Sequence, residues 1–222
     1  MSDQKTGLFP KALVDGFVSL LSPLINISTR LNISPNFFTI LGFLITVVGA
    51  AILIWRPDQI NLVGLIILLG GVCDVIDGKL ARNSNKVTKF GALLDSTIDR
   101  YTEVAMFFGI AAYYVKGDHY LLSVVTFAAL GGSTMVSYVR ARAEGLGFEA
   151  KVGLMQRPER VVSIGAGALF HYPLFSITMF YVTDFPVTLM EIAIWAVAIL
   201  ANVTAIQRIM HIYRDTHKKQ EA

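Results

Sequence analysis

Between residues 74 and 99 the chain reads DVIDGKLARNSNKVTKFGALLDSTID. Asp74 and Asp77 stand three apart, and Asp95 and Asp99 stand four apart. On a helix, either spacing places both side chains on one face. The intervening Lys79 to Phe90 is basic and polar, with Asn83, Ser84 and Asn85 at its middle, which suits a turn between two helices. The end of one helix and the start of the next then aim four carboxylates at one another. Carboxylates so crowded resist ionisation unless something positive intervenes. A pair of divalent cations meets that need, and oxygen-only donors suit Mg2+, Mn2+ or Ca2+ rather than zinc. Gly78, Gly91 and Ala81 keep the wall of such a site free of bulk, where a ligand can approach backbone.

The elements that hold these residues are of membrane grade. The chain has 222 residues, 54% hydrophobic and 16% charged, with mean hydropathy +0.58. That composition belongs to an integral membrane protein, and the length to one domain, residues 1–222. The lone Cys73 excludes an internal disulfide and a cysteine-rich metal site. The four histidines are scattered. A net charge of +3 is too small to argue for nucleic acid as a partner.

The expected fold is all-α: an N-terminal amphipathic helix in the membrane interface (1–30), then six transmembrane helices over 36–213. Residues 1–7 are polar and expected to fray. Phe9, Leu13, Phe17, Leu20, Leu21 and Leu24 recur at helical spacing, which suits an interfacial helix. Arg30 and Arg56 enclose 25 uncharged residues, where a bilayer needs ~20. The spans are expected over Asn36–Trp55, Asn61–Arg82, Asp95–Val115, His119–Ala143, Pro158–Val182 with a kink at Pro173, and Val187–Tyr213. The carboxylates thus fall inside two spans, near one face of the slab, where charge is costly and marks function. Seventeen lysines and arginines fall on that face and only Arg56 and Lys116 on the other. The positive-inside rule then puts both termini and the aspartates on the cytoplasmic side of the cell membrane.

The spacing of Asp74, Asp77, Gly78, Ala81, Arg82, Gly91, Asp95 and Asp99 resembles the signature of the CDP-alcohol phosphotransferase family at every fixed position. The resemblance implies an enzyme that displaces CMP from a CDP-linked lipid with an alcohol, forming a phosphodiester. It implies two Mg2+ ions, with Mn2+ as a substitute, on the four aspartates, and Asp99 as the base for the acceptor hydroxyl. It assigns the CDP-lipid to Asp74, Gly78, Ala81, Arg82 and Gly91. Pro35, Asn36 and Thr39 resemble a further family motif at the start of the first span. Ser137, Arg140, Arg160 and Arg208 are similar to the acceptor-phosphate pocket of the bacterial phosphatidylinositol phosphate synthases and their archaeal relatives. That implies inositol phosphate as acceptor and CDP-diacylglycerol or CDP-archaeol as donor. Arg140 stands where lysine is expected in that subfamily. Glycerol phosphate, also anionic, is the leading alternative acceptor. The family also implies a homodimer. A cation transporter is the rival class. Ion sites in carriers lie near the midplane, often at repeats, whereas these aspartates lie near one face and no repeat is visible.

Overall fold

The computed structural model describes residues 9–84, 86–150, 152–179 and 182–220. The polar start expected to fray lies outside them, as do Lys5, Asn85 and Lys151. The described residues form seven α-helices: α1 (Lys11–Arg30), α2 (Pro35–Trp55), α3 (Ile60–Asn83), α4 (Lys89–Lys116), α5 (Tyr120–Gly145), α6 (Arg157–Leu169) and α7 (Leu189–Gln220). One 3-10 turn, Pro57–Gln59, leads into α3. A two-stranded antiparallel hairpin, β1 (Pro173–Met179) and β2 (Val182–Thr188), separates α6 from α7.

Local chemistry explains the helix ends that matter for the site. Pro35 opens α2, where its missing N–H costs nothing. Thr88 caps α4 by accepting from the Gly91 N–H at 2.9 Å. The turn read over Lys79–Phe90 is shorter than expected. Helix α3 runs on to Asn83, so Lys79 to Arg82 are helical and the connection holds only residues 84–88.

The span expected over Pro158–Val182 is not one helix. Helix α6 stops at Leu169 after 13 residues, and Pro173 opens a strand rather than kinking a helix. A proline lacks the N–H that a continuing helix needs, and it drives the preceding residue away from helical angles. The following run is rich in Phe, Ile, Val and Thr, which favour strands. It pairs Phe175 with Val187 and Ile177 with Phe185.

Five helical stretches are long and apolar enough to cross a membrane among the described residues: Ala12–Arg30, Pro35–Trp55, Pro57–Asn83, Tyr120–Gly145 and Leu189–His217. The protein is therefore an all-α, multi-pass membrane protein apart from the hairpin. The expected count of six spans is not met on these terms. Helix α4 is long but charged in its first half, and α6 is short. Helix α1, expected to lie in the interface, is also long and apolar enough to span.

The main core gathers Leu53 of α2, Ile60 and Ile67 of α3, Phe107 and Ile110 of α4, Val125 of α5, Ile164 of α6, and Met190, Ile194 and Val197 of α7. A smaller cluster of Ile25, Phe38, Ile76 and Leu80 joins α1 to α2 and α3. Close helix approach depends on small residues. A side chain at Gly109 would meet the backbone of Ala50, and one at Gly64 the backbone of Leu169. Outward positions such as Leu44, Val48, Phe108, Val124 and Ile199 are exposed and apolar, as lipid-facing surface requires.

Candidate metal and phosphate site

The last turns of α3 carry Asp74 and Asp77, and the first turns of α4 carry Asp95 and Asp99. The short 84–88 connection brings these turns side by side. Asp74, Asp95 and Asp99 each offer a carboxylate oxygen, all within 4.8 Å of one another. Asp77 stands outside that triangle because it turns toward α2: its Oδ2 accepts from Thr39 Oγ1 at 2.7 Å. It still lines the same cleft, with Thr39, Gly42, Phe43, Gly70, Asp74, Ile98, Asp99, Thr102 and Arg157. Four spacing-predicted aspartates therefore converge, three in direct reach of one point.

The donor set fits a hard divalent cation. It offers only carboxylate oxygens, and Asp95 Oδ1 is buried with no hydrogen-bond partner. A buried acceptor left unpaired is costly, and a metal ion satisfies it.

A cation of the protein's own already enters the cleft. Arg157, the first residue of α6, donates from Nη1 to Asp74 Oδ1 at 2.5 Å and lies with Nη2 2.7 Å from Asp99 Oδ1. Arg100 stands 3.6 Å from the other Asp99 oxygen. One turn along α4, buried Glu103 binds the fully buried Arg160. In sequence, Arg157 and Arg100 stand out only as two of the seventeen orienting cations, and Glu103 does not stand out. Two signals were present. Asp95, Asp99 and Glu103 continue one i, i+4 row. An arginine in the first turn of a helix opposes the helix dipole, so its place there needs another reason.

The residues expected to hold the CDP-lipid border the same end of the bundle. Pro35 is buried at the start of α2. Asn36 stands beside Gly91: a Cβ on that glycine would lie 3.6 Å from Asn36 Oδ1. Gly78 packs beside the Arg82 guanidinium, which would be 3.4 Å from a Cβ there. Ala81 is half-buried and Arg82 exposed.

The expected acceptor residues are only partly united. Arg208 is buried and donates to the carbonyls of Val152 (2.9 Å) and Val136 (2.5 Å). Arg140, however, pairs with Glu144 of its own helix at 2.9 Å in an exposed position. The Ser137 hydroxyl donates to Ser133 O at 3.2 Å. Arg160 and Arg208 thus serve as struts for residues 152–155 as well as sources of charge.

Comparison with known proteins agrees with this geometry. The sequence profile of the CDP-alcohol phosphatidyltransferase family matches residues 32–206. An archaetidylinositol phosphate synthase of Pyrococcus horikoshii is 46% identical over 144 residues, 64% of this chain and 72% of that protein. A phosphatidylinositol phosphate synthase of Mycobacteroides abscessus is 36% identical over 155 residues, 69% of this chain and 70% of that one. Crystal structures of the Mycobacterium tuberculosis phosphatidylinositol phosphate synthase share the fold. One, with CDP-DAG bound, has TM-score 0.71 at 27% identity and covers 86% of this chain and 92% of its own. Another, in complex with manganese and citrate, has TM-score 0.71 at 28% identity, with coverage of 86% and 88%.

Proposed function

The chain belongs to the CDP-alcohol phosphatidyltransferase family, and from that premise we propose that it transfers a phosphatidyl-type group from a CDP-linked lipid to inositol phosphate. The observation that carries the chemistry is the convergence of Asp74, Asp95 and Asp99 beside Arg157 at one end of a membrane bundle. A cluster of carboxylates with an arginine suits a diphosphate donor. The acceptor is supported by the names of the relatives and by two buried arginines, Arg160 and Arg208. Either CDP-diacylglycerol or CDP-archaeol fits the donor side.

Asp74, Asp95 and Asp99, with Asp77 completing the set, are proposed to hold two Mg2+ ions, Mn2+ serving as a substitute. Such ions, when bound, polarise phosphoryl oxygens and steady the attacking and leaving oxygens. The rest falls to the protein. Thr39 fixes the Asp77 carboxylate. Asn36, Gly78, Ala81, Arg82 and Gly91 form the wall along which the CDP group lies. Asp99 accepts the proton of the acceptor hydroxyl. The oxygen so released bonds to the lipid-side phosphorus, and the bond from that phosphorus to the CMP oxygen breaks. Arg157 balances the charge that gathers on the phosphates. We also read α1 as interfacial, the termini and the site as cytoplasmic, and the working unit as a homodimer.

The acceptor is tested by initial rates of CMP release with inositol phosphate, glycerol phosphate and free inositol. Inositol phosphate should be used best, and free inositol rejected, because it brings no anion for the arginines' charge. Arg140→Ala should raise the acceptor KM about tenfold or more, the cost of one charged hydrogen bond. It should barely move the melting temperature, because an exposed ion pair contributes little. Preference for free inositol, or an unchanged acceptor KM, would make these arginines membrane anchors only.

A further inference from the structure

We propose that Glu103 is a positioning residue for the acceptor site; this rests on the reading of Arg160 as a ligand of the acceptor phosphate. Glu103 lies one turn past Asp99 on α4, in the row that supplies Asp95 and Asp99. It does not line the aspartate cleft. Its Oε1 accepts from Arg160 Nε at 3.0 Å and from Arg160 Nη2. Arg160 Nη1 donates to Met155 O at 3.0 Å. Both side chains are out of solvent, Arg160 at 0% and Glu103 at 2% exposure.

A guanidinium has five N–H donors. These three bonds leave one donor on Nη1 and one on Nη2. The carboxylate grips one edge of the fork and leaves the terminal nitrogens one donor each, a pair suited to phosphate. Stability alone is a poor reason for such a pair, because a buried ion pair recovers little beyond its own desolvation. The contact also orders the turn before α6. Met155, held by Arg160 and by the Thr204 hydroxyl, is two residues from Arg157, which reaches Asp74 and Asp99. Through Arg160, Glu103 thereby ties α4 to the turn before α6.

The test compares wild type, Glu103→Gln, Arg160→Ala and the double variant in detergent, with inositol phosphate as acceptor and CDP-diacylglycerol as donor. The readouts are kcat, both KM values and the melting temperature. Glu103→Gln keeps the shape and removes the charge. It should raise the acceptor KM about tenfold, the effect of a mispaired charged hydrogen bond, with the donor KM changed less than about twofold. The double variant should be no worse in acceptor KM than Arg160→Ala alone, as expected for residues acting through one contact. A lower melting temperature with an unchanged acceptor KM, or effects that simply multiply, overturns the positioning role. Should Glu103→Gln not fold, Glu103→Asp decides: it keeps the charge and withdraws it by one methylene. It should fold and raise the acceptor KM, and a wild-type value overturns the proposal. An effect of Arg160→Ala without one of Glu103→Gln removes only the positioning role. No effect of Arg160→Ala removes the acceptor reading, and the positioning role falls with it.

Discussion

Thr39 shows how much a single side chain contributes to this site. Its hydroxyl donates to Asp77 at 2.7 Å, both groups are buried, and they come from different helices. The bond turns Asp77 away from the tight group formed by Asp74, Asp95 and Asp99, yet keeps it on the cleft wall. Groups that orient metal-binding carboxylates typically contribute 10–100-fold to metal affinity. Thr39→Val keeps the volume and deletes the donor. The Mg2+ concentration for half-maximal CMP release should rise about tenfold or more. An unchanged metal titration would show that Asp77 is oriented without Thr39. Some of this was legible from sequence: Asp spacing alone named all four carboxylates, because helical geometry converts spacing into a common face. Thr39 was named through a short motif, but its partner was not. The partner is 38 residues away on another helix, and no local spacing encodes that distance. Arg157 escaped for the same reason.

At the scale of elements, the sequence located α2, α3, α5 and α7 well, because their apolar runs are long and their ends carry charge or proline. Helix α4 was placed from Asp95, whereas it starts at Lys89, where the Thr88 hydroxyl caps it. The failure lies in Pro158–Val182. Apolar composition there suggested a span, but composition does not separate an apolar strand from an apolar helix. Two features decide it. Pro173 interrupts the backbone donors, and the strands after it are rich in β-branched and aromatic residues. Helix α6 is short but well fixed. It packs so closely on α3 that Gly64 faces the backbone of Leu169 with no room for a side chain. It also carries Arg157 and Arg160 at its first turn. A rigid short helix with its start at the aspartates presents both arginines with little freedom.

At the scale of the whole molecule, charge and chemistry share one end. The aspartates, Arg157, Arg160 and Arg208 lie at the end of the bundle where most lysines and arginines fall. The proposed orientation, with this end cytoplasmic, rests on that asymmetry. Cys73 is buried, so labelling from either side meets little background. A cysteine at exposed Val87 should react only with reagent on the cytoplasmic side, and one at Lys116 only with reagent outside; outside labelling at Val87 would reverse the orientation and the route of the CDP-lipid. The central claim is that this end of the bundle cleaves a CDP-lipid through its carboxylates. Its most direct test is release of radiolabelled CMP from CDP-diacylglycerol by purified protein with inositol phosphate, in Mg2+ and in EDTA, for wild type and Asp95→Asn. Asp95→Asn should melt near the wild-type temperature yet release CMP on the order of a hundredfold more slowly, since even outer-shell losses at metal sites cost ~10–100-fold. EDTA should stop the wild type, and added Mg2+ should restore it. Release that persists in chelator, or in Asp95→Asn at the wild-type rate, would contradict the account.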